Sequence, residues 1–169
     1  MLRIGFVDHY LDEWHANNYP RFIREAAAQM GLEAQVTMAY AECDRPDDKQ
    51  GMTSREWSEA QGIPLAASLE ELSAACDGVM VMAPSFPHRH YDMARPALEM
   101  GKPVYVDKIF APSEEEGGRI FQLAARHGAP LFSSSALRFD ASLDAFRGKE
   151  DQNIRWCLTC GPNIFRIYA

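Results

Sequence analysis

The apolar residues of this chain fall into short continuous runs that alternate with longer amphipathic stretches. Runs of strand length cover residues 2–8, 34–41, 79–83, 103–106 and 130–133, and residues 62–65 form a short strand or loop. Continuous apolar runs are typical of strands that are buried on both faces of a parallel sheet. The pattern therefore predicts an α/β protein.

The polar residues between these runs predict where the helices begin and end. Residues 22–30 form an amphipathic pattern that ends before Gly31, a residue suited to a helix C-terminus. Capping boxes predict three more helix starts, at Thr53 with Glu56, Ser68 with Glu71, and Ser113 with Glu116. We therefore expect a Rossmann-like, doubly wound and mostly parallel sheet over residues 1–137, followed by the start of a second α+β domain over residues 138–169.

The segment from residue 77 to residue 108 predicts a strand, a crossover helix and a second strand, which form a βαβ unit. Ligands of such sheets bind outside the carboxyl ends of the strands. Ala83 and Pro84 follow the first of these strands, and Asp107 and Lys108 follow the second. A lysine in such a crevice can have its pKa lowered by desolvation and act as an acid or base, or it can be a solvated residue paired with Asp107.

Composition and charge narrow the class of protein. The 169 residues are 47% hydrophobic and 24% charged, which is ordinary for a globular domain with a sizeable core. The net charge of −7 argues against a nucleic-acid partner. No apolar run is long enough to span a bilayer, and the first residues do not form a signal peptide. We therefore expect a cytoplasmic protein with neither a nucleic-acid nor a membrane partner.

Cys157 and Cys160 form a Cys-x-x-Cys pair, which invites a metal or redox interpretation. Residues 154–160 alternate as a strand does, however, and positions three apart on a strand point to opposite faces. No second Cys or His pair completes a zinc site, and His88 and His90 have no further ligands nearby in the sequence. We therefore expect free thiols, no bound metal and a surface position for His90.

The sequence resembles a known family from about Leu2 to Tyr168, and the match is clearest from Ser68 onward. The matching features are a strand ending in Ala83-Pro84, the histidine His88, the helix pattern Ala94-x-x-Ala97-Leu98, the sequence Gly101-Lys102-Pro103-Val104, and Asp107-Lys108-Ile109. Together they resemble the glucose–fructose oxidoreductase and inositol dehydrogenase (Gfo/Idh/MocA) family. The signature of that family at the last of these positions is Glu-Lys-Pro, so this chain keeps an acid and the lysine but lacks the proline.

The resemblance implies the nucleotide-binding domain of an NAD-dependent oxidoreductase, which moves a hydride between nicotinamide and a small-molecule substrate, a sugar, cyclitol or related hydroxyl compound. It implies that Lys108 is the catalytic residue that polarises the substrate hydroxyl. It also implies that His88 lines the nicotinamide side of the crevice and that the backbone of Ala83 and Pro84 packs against the cofactor. Because family members continue into a substrate domain with a large mixed sheet, we expect a truncated chain that forms a homo-oligomer through its C-terminal strand.

The loop after the first strand departs from the family. A dinucleotide-binding domain carries Gly-x-Gly-x-x-Gly there, because glycine lets backbone N–H groups approach the diphosphate. This chain has no glycine between Gly5 and Gly31, and Asp8, Asp12 and Glu13 crowd the place where a diphosphate would lie. The lost glycines support an alternative function, a degenerate non-catalytic Rossmann module that binds another small ligand or a protein partner.

Two interpretations of this loop stay open. In one, a replaced ligand site is formed by His9, Tyr10, His15 and Asn17. In the other, the histidines are solvated and the packing residues are Tyr10, Leu11 and Trp14.

An acid at the end of the second strand usually binds the adenosine ribose hydroxyls and disfavours a 2′-phosphate. Glu42 and Asp44 are the candidates, so the expected cofactor is NAD rather than NADP; the alternative is a solvated acidic loop. The predicted cofactor-binding residues are Asp8, His9, Tyr10, Glu42, Asp44, Ala83, Pro84, His88 and Asp107.

Overall fold

The structure is a computed structural model that describes residues 1–45 and 51–139. The chain divides into two compact units, Met1–Ser133 and Ser134–Ala169. In the second unit, a 3₁₀ turn covers Ala136–Phe139. The predictions of a second domain, a Cys157-Cys160 pair and a C-terminal strand lie outside the described residues.

The described strands form a five-stranded sheet in which every neighbouring pair is parallel. They are β1 (Leu2–Asp8), β2 (Ala34–Ala41), β3 (Gly78–Val81), β4 (Val104–Val106) and β5 (Leu131–Phe132), in the order β2-β1-β3-β4-β5. The short run at 62–65 contributes a single parallel bridge from Leu65 to Ala39. The predicted α/β, Rossmann-like fold is confirmed.

The helices of the described residues are α1 (Trp14–Gln29), α2 (Ser54–Gln61), α3 (Leu69–Ala75), α4 (His90–Glu99) and α5 (Glu114–His127), and a 3₁₀ turn at Pro87–Arg89 precedes α4. The capping box of Thr53 is complete, and the hydroxyls of Ser68 and Ser113 each accept from the backbone N–H three residues on. Within the described ranges, no helix is long and apolar enough to cross a membrane.

Helix α1 begins much earlier than predicted. Its first residue is Trp14, whereas the sequence pattern places the start at residue 22. Glu13, the residue before the helix, is not among the side chains preferred at an N-cap, and Pro20 inside the helix indicates a break. Both signals place the start too late, and the helix extends across Pro20 to reach the loop that follows β1.

Apolar residues cover both faces of the sheet. On one face α3, α4 and α5 pack against the strands through residues such as Leu72, Leu98 and Ile120. On the other face α1 and α2 pack around the buried Trp57. Gly5 allows α3 to approach β1 closely, because a Cβ atom there would lie 2.5 Å from Cδ2 of Leu72. These layers fix the carboxyl ends of the strands along one edge of the sheet.

Candidate functional site at the carboxyl edge of the sheet

We call the ends of β1, β2, β3 and β4, with the residues that follow them, the carboxyl edge of the sheet. Asp8, the last residue of β1, lies at its centre. Strand β1 pairs with β2 on one side and with β3 on the other, so the strand order reverses there, where open α/β sheets bind ligands. Oδ1 of Asp8 accepts hydrogen bonds from the backbone N–H groups of His9 (2.7 Å) and Ala83 (3.1 Å), and Oδ2 has no hydrogen-bond donor. Asp8 is 2% exposed. Burial, together with the charge of Glu13, raises its pKa well above the ordinary value.

The turn after β3 has an unusual backbone. Ala83 adopts a φ of 34°, a region that non-glycine residues rarely enter and that often marks a functional site. Its carbonyl oxygen lies 3.1 Å from Nε2 of His90, whose Nδ1 lies 3.0 Å from the carbonyl oxygen of Phe110. His90 is fully buried, so the prediction that it lies on the surface is wrong. It joins the turn after β3 to the segment after β4.

Asp107 follows β4 and is as buried as Asp8, at 2% exposed. Its Oδ1 accepts a hydrogen bond from the hydroxyl of Tyr105 (2.9 Å). Its Oδ2 lies 3.4 Å from Nζ of Lys108 and 3.8 Å from Nε2 of His15. Neither contact is a hydrogen bond, so Oδ2 has no hydrogen-bond donor. Burial and the charge of Asp107 raise the pKa of the Tyr105 hydroxyl.

The loop after β1 places a carboxylate at the start of α1. Glu13 is the N-cap residue, and its Oε1 accepts a short hydrogen bond from the backbone N–H of Ala16. Its Oε2 lies 2.7 Å from Nδ1 of His15, and the Glu13 side chain is only 11% exposed. Both oxygens of this carboxylate therefore have partners within α1.

Asp12 and Leu11 hold this loop against the fold. Oδ1 of Asp12 accepts from Nδ2 of Asn17 (3.0 Å), and Oδ2 accepts from the backbone N–H of Met52 (2.8 Å). Burial alone would raise the pKa of Asp12, but these bonds outweigh it and lower the pKa. Oδ1 of Asn17 accepts in turn from Nε1 of Trp57 (2.8 Å), and Leu11 is fully buried. Leu11 therefore packs as the second interpretation of the loop expects, whereas His15 is part of a polar cluster.

A second packing residue of that interpretation, Trp14, lies outside the core. Trp14 is 60% exposed, so it is a surface residue rather than part of the core. Its ring contacts the rings of Tyr19 and Phe22 along the outer side of α1.

Glu42, which follows β2, is also engaged by other side chains. Nε and Nη2 of Arg89 donate to its carboxylate, and Oε2 lies 2.8 Å from Nδ1 of His9. Burial alone would raise the pKa of Glu42, but the bonds from Arg89 and His9 outweigh it and lower the pKa. The ring of His9 stacks on Phe86 with centroids 4.0 Å apart. The ends of β1, β2 and β3 are thus linked by one polar and aromatic cluster.

The remaining predicted residues lie at the margin. Tyr10 is half-buried, with its ring edge-on to Phe86 and its pKa raised by burial. Asp44 is exposed, and its Oδ1 accepts from the backbone N–H of Ser54 at the start of α2. Pro84 is half-buried and His88 is exposed. The structure therefore brings Asp8, Ala83, Asp107 and Lys108 to the edge as predicted, and leaves His88 and Asp44 outside the polar clusters.

The predicted site residues did not include Glu13, Arg89 or Tyr105. Arg89 binds Glu42, which lies 47 residues earlier in the chain, and such a pair cannot be found from spacing along one element. Glu13 and Tyr105 instead bind residues two or three positions away, and the sequence pattern does not show that these short-range contacts form. The described residues contain no group of three or more His, Cys, Asp or Glu side chains that could hold a metal ion.

A dinucleotide cofactor would place its diphosphate at the start of α1, where helix N–H groups and the helix dipole favour an anion. In this chain the Glu13 carboxylate already binds the Ala16 N–H at that position, and the buried Asp8 lies beside it. Glu42, the candidate for the ribose hydroxyls, is bound by Arg89. The loop in this arrangement does not fit a diphosphate.

Comparison with known proteins places the chain among oxidoreductases. The model of an oxidoreductase family with an NAD-binding Rossmann fold matches residues 31–135. This range runs from the end of α1 to β5, and it omits β1 and the loop that carries Glu13.

Three solved structures illustrate the similarity. An NAD-binding protein from Listeria innocua is 19% identical with a TM-score of 0.66, over 88% of this chain and 41% of that one. A probable dehydrogenase from Thermotoga maritima is 18% identical with a TM-score of 0.65, over 86% and 39%. A UDP-N-acetylglucosamine 3-dehydrogenase from Acidithiobacillus ferrooxidans is 17% identical with a TM-score of 0.61, over 88% and 42%.

At these identities the likeness shows the fold, and the chain spans about two-fifths of the length of each of these proteins. The family model, in contrast, covers more than half of the chain, including both strands of the βαβ unit that ends at Lys108. The chain therefore belongs to the Gfo/Idh/MocA family of oxidoreductases, which is built on an NAD-binding Rossmann fold.

Proposed function

We propose that the protein is the nucleotide-binding part of an NAD-dependent oxidoreductase that acts on a sugar, cyclitol or related hydroxyl compound. The observation that carries the proposal is the position of Lys108 after β4, with its side chain 28% exposed and its Nζ 3.4 Å from the buried Asp107. An ammonium group that a buried carboxylate orients can contact a substrate hydroxyl oxygen and exchange a proton with it.

The substrate class is supported by two further points. The resemblance of Asp107-Lys108 to the family signature implies that this lysine holds a substrate hydroxyl. One of the proteins with a similar fold is named as a dehydrogenase of a nucleotide sugar. A sugar or cyclitol is therefore the first class of substrate to test.

A second candidate function is favoured by the loop after β1. Because Glu13 occupies the position where a diphosphate would lie, the same edge of the sheet suits a small ligand without phosphate groups. In that case the protein is a binding module of the Rossmann fold rather than an enzyme.

Thermal unfolding in the presence of nucleotides separates the two functions. Ligand at a hundred times its dissociation constant stabilises a protein by about 2.7 kcal/mol, which for a chain of this length is a rise in Tm of about 5 to 10 °C. We expect such a rise with NAD(H) at millimolar concentration. No rise with NAD(H) or NADP(H) would favour the binding module.

The role of Lys108 is tested by Lys108→Met in a screen of sugars and cyclitols, with formation of NADH as the readout. Loss of a group that transfers a proton typically slows a reaction by about 10²- to 10⁴-fold, and we expect a decrease of this size. Lys102→Met is the matched control, because Lys102 lies before β4 at the opposite edge of the sheet and donates to the carbonyl oxygen of Cys76. Equal rates for the two variants would contradict the assignment of Lys108.

A further inference from the structure

Glu13 is the exception among the side chains that cap helices in the described residues. The caps of α2, α3 and α5 are Thr53, Ser68 and Ser113, short hydroxyl side chains of the type preferred at this position. The cap of α1 is a glutamate whose longer side chain folds back onto the helix and adds a full negative charge. The helix that would receive the cofactor diphosphate is thus the one capped by an anion of the chain itself.

The Glu13 carboxylate has the contacts that a bound phosphate group would use. Oε1 accepts from the backbone N–H of Ala16, and Oε2 lies 2.7 Å from the ring nitrogen Nδ1 of His15. A helix N–H and an imidazole are both donors suited to an anion. While Glu13 holds them, they are not available to a diphosphate.

Neighbouring charges increase the conflict. Asp8 and Asp107 are both 2% exposed, and the charge of Glu13 already opposes ionisation of Asp8. A diphosphate added next to these carboxylates would bring like charges together in a poorly solvated place, which is unfavourable.

The loop backbone cannot relieve the conflict by moving as a whole. Asp12 binds both Asn17 and the backbone of Met52, and Leu11 is fully buried. The Glu13 side chain, in contrast, has both of its hydrogen-bond partners within α1 and can leave them by rotating its own bonds. Release of the site therefore depends on this one side chain.

We infer that the Glu13 carboxylate is an internal competitor for the diphosphate of the dinucleotide, so that the cofactor binds only when this side chain turns away from Ala16 and His15. The inference rests on the proposed function, because it concerns the affinity of the same site for NAD(H). According to this inference, Glu13 weakens cofactor binding although it lies at the N-terminus of α1, where the cofactor diphosphate would bind.

The test compares NADH affinities of the unmodified chain, Glu13→Ser and Glu33→Ser by isothermal titration calorimetry. Serine at position 13 can cap α1 as Ser113 caps α5, and it removes the competing charge. Glu33→Ser removes an equal charge from a side chain that is 83% exposed, just before β2 at the opposite edge of the sheet. We expect Glu13→Ser to bind NADH at least tenfold more tightly than the unmodified chain, and Glu33→Ser to bind with unchanged affinity.

Glu13→Gln is the second variant, because its side-chain oxygen can still accept from Ala16 while the charge is gone. We expect an affinity above that of the unmodified chain, and far-ultraviolet circular dichroism would show that all variants are folded. If the unmodified chain binds NADH and neither variant binds it more tightly, the inference about Glu13 is wrong and the proposed function stands. If no folded variant binds NADH or NADPH at millimolar concentration, both are wrong.

Discussion

At the scale of single residues, the most consequential group is the buried carboxyl of Asp8. Two backbone N–H groups, from His9 and Ala83, hold Oδ1, while Oδ2 has no donor. A buried polar atom without a partner costs about 1 to 3 kcal/mol, more if it is charged. Asp8 thus joins the ends of β1 and β3 through Oδ1. When the carboxyl is ionised, the unpartnered Oδ2 destabilises the fold.

Asp8→Asn should stabilise the protein at pH 8 by about 1 to 3 kcal/mol, because the amide oxygen keeps both N–H contacts and the buried charge is removed. The sign follows from the raised pKa of Asp8 in the folded state. Because the pKa is higher in the folded state, the protonated carboxyl of Asp8 stabilises the fold below the ordinary carboxyl pKa of about 4. That stabilisation is lost as the pH rises through the pKa of Asp8 in the folded protein. The gap between variant and unmodified chain in urea unfolding should therefore widen from about pH 4 to pH 8.

Asp77→Asn provides a control of opposite sign. Arg3 donates to the Asp77 carboxylate through its side chain and its backbone N–H, and these bonds lower the pKa of Asp77. The stability that a lowered pKa provides is present above the ordinary carboxyl pKa and is lost as the pH falls. Asp77→Asn should thus be less stable than the unmodified chain at neutral pH and equal to it in acid.

If the difference in stability between Asp8→Asn and the unmodified chain does not change with pH, the pKa of Asp8 is not raised in the folded protein and the prediction is wrong.

Sequence reasoning correctly placed the residues at the strand ends along the carboxyl edge, and it missed positions that depend on side-chain contacts. Asp8, Ala83 and Lys108 could be placed because parallel strands end along one edge of the sheet. The burial of His90 could not, since it results from two carbonyl groups, at Ala83 and Phe110, that come together only in the fold.

At the scale of elements, the ion pair between Glu42 and Arg89 joins the end of β2 to the 3₁₀ turn before α4. Strands β1 and β2 have the bounds that the apolar runs predict, so the position of Glu42 was predictable. Its partner was not, because Arg89 lies 47 residues further along the chain. The predicted start of α1 was also wrong. Pro20 is tolerated inside this helix because packing against the rest of the fold stabilises it.

Glu42→Gln should shift the preference of the protein from NADH towards NADPH by about tenfold. An acid at this position disfavours a 2′-phosphate, and a nearby arginine favours it. The substitution removes the acid and leaves Arg89 without its main anionic partner, and a hydrogen bond to a charged group contributes about 1.5 to 3 kcal/mol. The measurement is the ratio of dissociation constants for NADPH and NADH by calorimetry.

Two variants control this experiment. Asp44→Asn changes the other candidate acid, which is exposed and bound to the N–H of Ser54, and it should leave the ratio unchanged. Adding Arg89→Met to Glu42→Gln should remove the gain in NADPH affinity. If Asp44→Asn alone changes the ratio, the ribose acid is Asp44 and the assignment of Glu42 is wrong.

At the scale of the whole molecule, the balance of charge opposes an anionic cofactor. The chain carries a net charge of −7. Three of its carboxyl groups, those of Asp8, Glu13 and Asp107, lie together at the place where the cofactor would bind. Lys108 and His15 lie at the same edge, but both are within 4 Å of Asp107. Like-charge repulsion at long range lowers the rate of encounter and the affinity.

Chloride salt should therefore strengthen NADH binding by the unmodified chain, the reverse of what a basic phosphate site shows. The screening length falls from about 10 Å at 0.1 M salt to about 3 Å at 1 M, so repulsion from carboxylates beyond direct contact is largely removed. We expect the dissociation constant for NADH to decrease by about two- to fivefold across this range, and the dependence to be flatter in Glu13→Ser, which has lost the nearest of these charges. Affinity that falls with salt would instead show that Lys108 and His15 dominate the field at the carboxyl edge.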